Sequence, residues 1–201
     1  MKPIFTGLSP NAEADDVLLA LKLLLVPWKW RRGDARGVLE GKIRDLLGVS
    51  HVFAFESGRT SLMVGLSSLG LSAGDEVLLQ AYTCVAVPNA VRWAGGTPVY
   101  VDCDSHTLAM DPKDFEKKIT QQSRVVIVQH TFGNTGDLLE ILRIAKKHNL
   151  VIIEDCAHTI GGEYKEKKLG TYGDIAIFSF GRDKALSSVF GGALITNDAV
   201  L

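Results

Sequence analysis

The chain has 201 residues, 46% of them hydrophobic, enough to bury the core of one full domain and too few for two large ones. Its 22 basic and 23 acidic residues leave a formal net charge of −1, which excludes the broad positive field that a nucleic-acid or anionic-membrane binder needs. Cys84, Cys103 and Cys156 are an odd number without metal-ligand spacing, so they read as reduced thiols of a cytoplasmic protein rather than a disulfide framework.

The opening "MKPIFTGLSP" lacks the basic start, apolar run and cleavage site of a signal peptide. The stretch "VLLALKLLLVPW" is short, contains Lys22 and meets Pro27, which predicts a buried or interfacial helix and not a membrane span. Helices are expected over residues 11–26 and 35–47, joined by the connector "PWKWRRGD", and together residues 1–50 form a helical segment packing on a large domain made by the rest of the chain. From Val52 onward, seven apolar runs read as strands: "VFAFES", "EVLLQA", "TPVYVD", "RVVIVQH", "VIIEDC", "IAIFSF" and "GGALITN". Hydrophobicity in "RVVIVQH" and "VIIEDC" is continuous, so both faces of those strands are covered. That predicts an α/β fold: a three-layer α/β/α domain over residues 51–201 around a seven-stranded, mainly parallel sheet. Asp111-Pro112 is an N-cap followed by proline at the first helical position, and Gly70 and Gly95 stand where helix ends take left-handed geometry. The last strand runs into "TNDAVL", which reads as a large domain lacking the closing helix or small domain.

Ligands of parallel sheets gather beyond the carboxyl ends of the strands. There "ESGRTSL" sets Gly58, Arg59 and Thr60 at a helix N-terminus, whose free N–H groups favour an anion such as phosphate. No Walker loop or dinucleotide fingerprint is present, which argues against nucleotide hydrolysis and nicotinamide chemistry. Asp155 ends a buried run where a carboxylate needs a cation or donors. Lys184 lies between an apolar strand and a double-glycine turn; a lysine amine held there can bond an aldehyde and shuttle protons. An anion cradle, a buried acid and a lysine together fit pyridoxal 5'-phosphate, the acid keeping the pyridine nitrogen protonated. Trp28, Trp30 and Trp93 read as packing or interface anchors, and His51, His106 and His148 as surface residues. His130 reads either as a pocket residue or as a structural one.

The strings "SGRTSLMVGLSSLGLSAGDEVLL", "HTFGNTGDL", "VIIEDCAHTIGGEYKEKKLGTYGDIAIFSF" and "DKALSSVFGGALITND" resemble the DegT/DnrJ/EryC1/StrS sugar aminotransferases, a family of fold-type-I pyridoxal-phosphate enzymes, nearly end to end. The resemblance implies that Lys184 is the lysine bonded to the cofactor, Asp155 the partner of its pyridine nitrogen, and His158 a neighbour of its phenolic oxygen. It implies phosphate contacts from Gly58, Arg59 and Ser179, with Arg59 standing where the family commonly has threonine. Cys84 stands where an aromatic usually stacks on the ring, so either Tyr82 or Cys84 takes that face. It further implies a homodimer, an antiparallel final strand, and amino transfer from glutamate or glutamine to the keto group of a nucleotide-linked sugar. The alternatives are another reaction on the same fold, such as a lyase or desulfurase, and a fragment awaiting a complementing C-terminal chain.

Overall fold

The computed structural model describes residues 13–30 and 33–200. Helices α1 (Ala14–Leu24) and α2 (Ala35–Leu47) precede β1 (His51–Phe55), α3 (Gly58–Ser68), β2 (Glu76–Gln80), α4 (Ala86–Trp93) and β3 (Thr97–Val101). Then come α5 (Pro112–Lys118), β4 (Ser123–Gln129), α6 (Leu138–Lys147), β5 (Val151–Asp155), the two-residue strands β6 (Glu163–Tyr164) and β7 (Lys167–Lys168), β8 (Ile175–Ser179) and β9 (Gly192–Thr196). The main sheet has seven strands in the order β1-β9-β8-β5-β4-β2-β3. Neighbours from β8 to β3 pair in parallel, and β9 is antiparallel to both β1 and β8. The expected α/β class and mainly parallel seven-stranded sheet are therefore present, and the hairpin β6–β7 is an addition.

Strand periodicity divides the core between the two sheet faces. Along β5, Ile152 joins the cluster under α5 and α6 that includes Phe115, Ile141 and Ile144, while Ile153 joins Leu62, Leu66 and Val91 under α3 and α4. Helix α6 buries Leu138, Ile141, Leu142 and Ala145, a single stripe at helical spacing. Phe115 and Phe178 are 0% and 1% exposed, so truncating either to alanine removes about 3–5 kcal/mol. Asp111 accepts from Lys113 N ahead of Pro112, and Gly70 and Gly95 end their helices at positive φ.

Two expectations, each with two readings, lose one of them. Helix α1 buries none of its residues: Leu18 is 68% exposed. It packs against the short turn at Pro27–Lys29 rather than against the sheet, so its apolar sequence is unpartnered and the buried reading fails. Trp28, Trp30 and Trp93 are likewise exposed, Trp30 donating through Nε1 to the Leu23 carbonyl at 2.8 Å. They do not pack in the core, which removes the packing reading and leaves that of interface anchors untouched. His51 is half-buried in β1, whereas His106 and His148 are exposed. The expected helix residues 11 and 12, the connector residues 31 and 32, and the opening segment lie outside the described residues. Among the described residues, no helix is long and apolar enough to cross a membrane.

Candidate active site

Strand alternation selects which strand-end side chains share a face. Ile127, Ile153 and Ile177 all belong to the α3/α4 core, so Gln129, Asp155 and Ser179, two residues further along each strand, emerge on that same side. Helix α3 begins directly opposite. Ser57 caps it, its Oγ accepting from Thr60 N at 3.1 Å, and the remaining first-turn N–H groups have no partner within the helix. Gly58 is needed because a Cβ there would lie 2.7 Å from the Ser179 Cβ. The start of β9 presses on the same turn: a Cβ at Gly192 would come within 2.4 Å of the Gly58 nitrogen. The double glycine after Lys184 thus allows the return strand to lie backbone against backbone with the helix start.

Asp155 is 7% exposed. Its Oδ2 accepts from Gln129 Nε2 and its Oδ1 from Ala157 N, both at 3.0 Å. The turn after β5 brings His158 to Lys184, with Nε2 at 2.9 Å from Nζ. The Lys184 side chain is only 14% exposed, and Asp183 Oδ2 lies 3.0 Å from the same nitrogen. Burial lowers the His158 pKa and the nearby Lys184 lowers it further, against the pull of Asp155 and Asp183, so its ring is neutral at pH 7. Burial raises the Asp183 pKa, but the Lys184 hydrogen bond and charge outweigh it and the net direction is down. On the ring's other side Phe132 stacks on His158, centroids 5.1 Å apart. Gln80 Nε2 bridges the loops after β2 and β4, donating to the Tyr82 carbonyl at 2.8 Å and to Thr131 Oγ1 at 3.0 Å.

Two adjoining cavities, of about 250 and 240 Å³, share Cys84, Asp155, Ala157 and Lys184 as walls. Tyr82, His130, Phe132 and His158 line the first; Gly58, Arg59, Ser179 and Asp183 line the second. Thr60 is the sequence-selected residue that lines neither: its hydroxyl donates to Glu56 Oε1 at 2.5 Å and lies 3.0 Å from Ser57 Oγ. Of the two residues considered for a ring face, Cys84 borders both cavities and Tyr82 one. A cofactor with a phosphate at one end and a ring nitrogen at the other fits this outline. The second cavity ends in a helix N-terminus kept open by Gly58, and a buried carboxylate stands at the junction.

Glu154 was not apparent as a candidate. It is completely buried on the opposite face of β5, its Oε2 accepting from His130 Nε2 at 2.9 Å and Gly170 N at 3.0 Å, its Oε1 from Tyr172 N at 2.6 Å and Gly173 N at 2.8 Å. Burial raises its pKa, but His130 and the backbone donors outweigh this and hold the carboxyl below its ordinary range. The signal was in "VIIEDC": two consecutive acids in a strand cannot both face one side, so one must be satisfied beneath the sheet. Glu154, His130 and Cys156 stand close enough to suggest a metal centre. The carboxylate oxygens are, however, already taken by N–H donors, and burial pushes the Cys156 thiol far up in pKa, away from the thiolate a metal binds.

The sequence matches the DegT/DnrJ/EryC1/StrS aminotransferase family over residues 12–201. It is 37% identical to the GDP-perosamine synthase of Escherichia coli O157:H7 over 87% of this chain and 48% of that protein. It is also 37% identical to the L-glutamine:2-deoxy-scyllo-inosose aminotransferase of Streptomyces kanamyceticus, over 93% of this chain and 45% of the other. The crystal structure of NtdA from Bacillus subtilis with bound cofactor PMP superposes with a TM-score of 0.85 at 33% identity, covering 96% of this chain and 44% of that one. The chain spans about half the length of the curated relatives it matches. With a fold-type-I sheet and a sequence match across nearly its whole length, the chain belongs to the DegT/DnrJ/EryC1/StrS aminotransferase family.

Proposed function

We propose that residues 51–201 are the cofactor-binding large domain of a pyridoxal-phosphate-dependent aminotransferase, with residues 1–50 a helical segment attached to it. The reaction is transfer of an amino group from glutamate or glutamine to the keto group of a nucleotide-linked sugar. The observation that carries this reading is the position of Lys184: a largely buried side chain whose nitrogen sits where two cavities meet, with Asp155 bordering both and a helix N-terminus closing one. Other lysines are placed differently. Lys165 and Lys167 lie over Tyr164 and Tyr172, and Lys168 pairs with Glu163, none of them lining either cavity.

When bound, pyridoxal phosphate supplies an aldehyde for covalent capture and a pyridine ring that withdraws electrons. Lys184 would provide the nitrogen that holds the aldehyde and a group able to move protons beside it. Asp155, kept in place by its two protein donors, would hold the proton on the ring nitrogen. His158 would stand beside the phenolic oxygen. Gly58, Arg59 and Ser179, with the first turn of α3, hold the phosphate; Thr60 acts on that turn through the cap. Cys84 or Tyr82 would take the ring face. The nucleotide-linked substrate is supported by the name of the GDP-perosamine synthase relative, and glutamine by that of the inosose aminotransferase. We place the protein in the cytoplasm as a homodimer, an assembly that would cover the exposed apolar face of α1.

The test is fixation of the cofactor. Purified protein is mixed with pyridoxal phosphate, reduced with borohydride and digested; the added mass is expected on the Lys184 peptide, absent in Lys184→Ala, and glutamate added before reduction abolishes it while releasing 2-oxoglutarate. Mass on Lys165, Lys167 or Lys168 instead would overturn the reading.

A further inference from the structure

Phe132 has a left-handed backbone (φ 53, ψ 26), a conformation that costs a bulky residue on the order of 1–3 kcal/mol. The residue is 78% exposed, so burial does not offset that cost. Two contacts to one partner do. The Phe132 N–H donates to His158 Nδ1 at 3.2 Å, and its ring lies 4° from parallel with the imidazole.

The chemistry of a neutral imidazole then fixes the next step. One ring nitrogen carries the proton and the other accepts. Nδ1 accepts from Phe132, so the proton is on Nε2, the atom that faces Lys184 Nζ at 2.9 Å. Nζ thus stands between His158 Nε2 at 2.9 Å and Asp183 Oδ2 at 3.0 Å. The charged and titratable groups facing His158 are Lys184 and Asp183 from the loop after β8 and Asp155 from β5, with Tyr82, Cys84 and His130 on the same cavity wall.

We propose that the strained Phe132 turn is a positioning device: it fixes His158 as the Nε2–H tautomer and sets that nitrogen against Lys184 Nζ at the mouth of the cavity. The value of this device for reaction with an aldehyde rests on the aminotransferase reading above; the tautomer itself does not. Phe132 and His158 act through Lys184 and are positioning residues in this role.

The test has two arms on the full chain. In ¹⁵N-histidine-labelled protein without added ligand, with the His158 signals assigned by their loss in His158→Gln, Nδ1 is expected to be unprotonated and Nε2 protonated at neutral pH. A Nδ1–H tautomer, or an averaged mixture, overturns the proposal. Phe132→Gly, which keeps the N–H and relieves the backbone while removing the ring, is expected to give the averaged mixture; an unchanged tautomer shows that the stacking has no part in the device. The second arm is the initial rate of borohydride-fixable capture of pyridoxal phosphate at Lys184. It should fall about tenfold in His158→Leu, the scale of one lost hydrogen bond, and largely recover in His158→Gln, whose amide offers the same acceptor and donor pair. A His158→Leu rate equal to that of the parent chain overturns the positioning role. If the parent chain captures nothing at Lys184, the aminotransferase reading fails, and the tautomer measurement alone decides the proposal.

Discussion

Gly192 and Gly58 meet backbone to backbone, so close that an added Cβ at Gly192 would lie 2.4 Å from the Gly58 nitrogen and 2.5 Å from the Ser57 carbonyl oxygen. Neither side is a flexible side chain that could swing away. Gly192→Ala therefore forces the return strand and the α3 start apart. An unfolding free-energy loss of about 3 kcal/mol, the upper part of the overpacking range, is expected in urea titration, together with weakened pyridoxal phosphate binding. Gly41→Ala in α2 is the control. Nothing lies within 4 Å of its added Cβ, and the substitution should stabilise by about 0.5–1 kcal/mol through helix propensity.

The Glu154–His130 pair makes a separate prediction about pH. The folded-state pKa of Glu154 is lowered, burial notwithstanding, by His130 and the backbone donors. Its contribution to stability is therefore complete above the unfolded carboxyl pKa of about 4.3 and is lost as pH falls through the lower folded value. Glu154→Gln turns one oxygen into a donor facing N–H groups, and should cost about 3–5 kcal/mol at pH 7. The gap between variant and parent in urea unfolding should shrink below about pH 4; a gap that widens there would contradict the assigned direction.

Fold class and the seven strands were legible because the signal was local. Continuous apolar runs such as "VIIEDC" mark strands covered on both faces, and Asp111-Pro112 marks a helix start whatever surrounds it. The residues gathered at the site came from a resemblance added to strand-end logic. What escaped was non-local. Glu154 gains its meaning from Gly170, Tyr172 and Gly173, which lie 16 to 19 residues away. The apolar sequence of α1 announces a buried face but not what buries it, and Trp28 and Trp93 share that ambiguity.

Asp155 separates fold from cofactor chemistry. Gln129 Oε1 has no partner and its Nε2 is bonded to Asp155, so in Asp155→Asn the glutamine amide can turn over and accept from the new asparagine. Stability should change by less than about 1 kcal/mol. The charge facing the ring nitrogen is gone, however, and a charged hydrogen bond worth about 1.5–3 kcal/mol is removed from binding. Titrating pyridoxal phosphate by absorbance should show affinity lower by about 10- to 100-fold. Equal losses of stability and affinity would mean that Asp155 is a structural residue.

Helix α1 tests the assembly. Leu18, Leu21 and Leu24 are 68%, 56% and 63% exposed, and Trp28 is 67% exposed beside them. Apolar exposure of this extent on one short segment marks a surface that another surface covers. In sedimentation velocity the parent chain should run as a dimer. The double substitution Leu18→Glu with Leu21→Glu should shift it to monomer without changing the urea midpoint of the monomeric unit, because α1 contributes no buried residue to the core. A parent chain that is monomeric at all concentrations, or a variant that stays dimeric, would remove α1 from the interface.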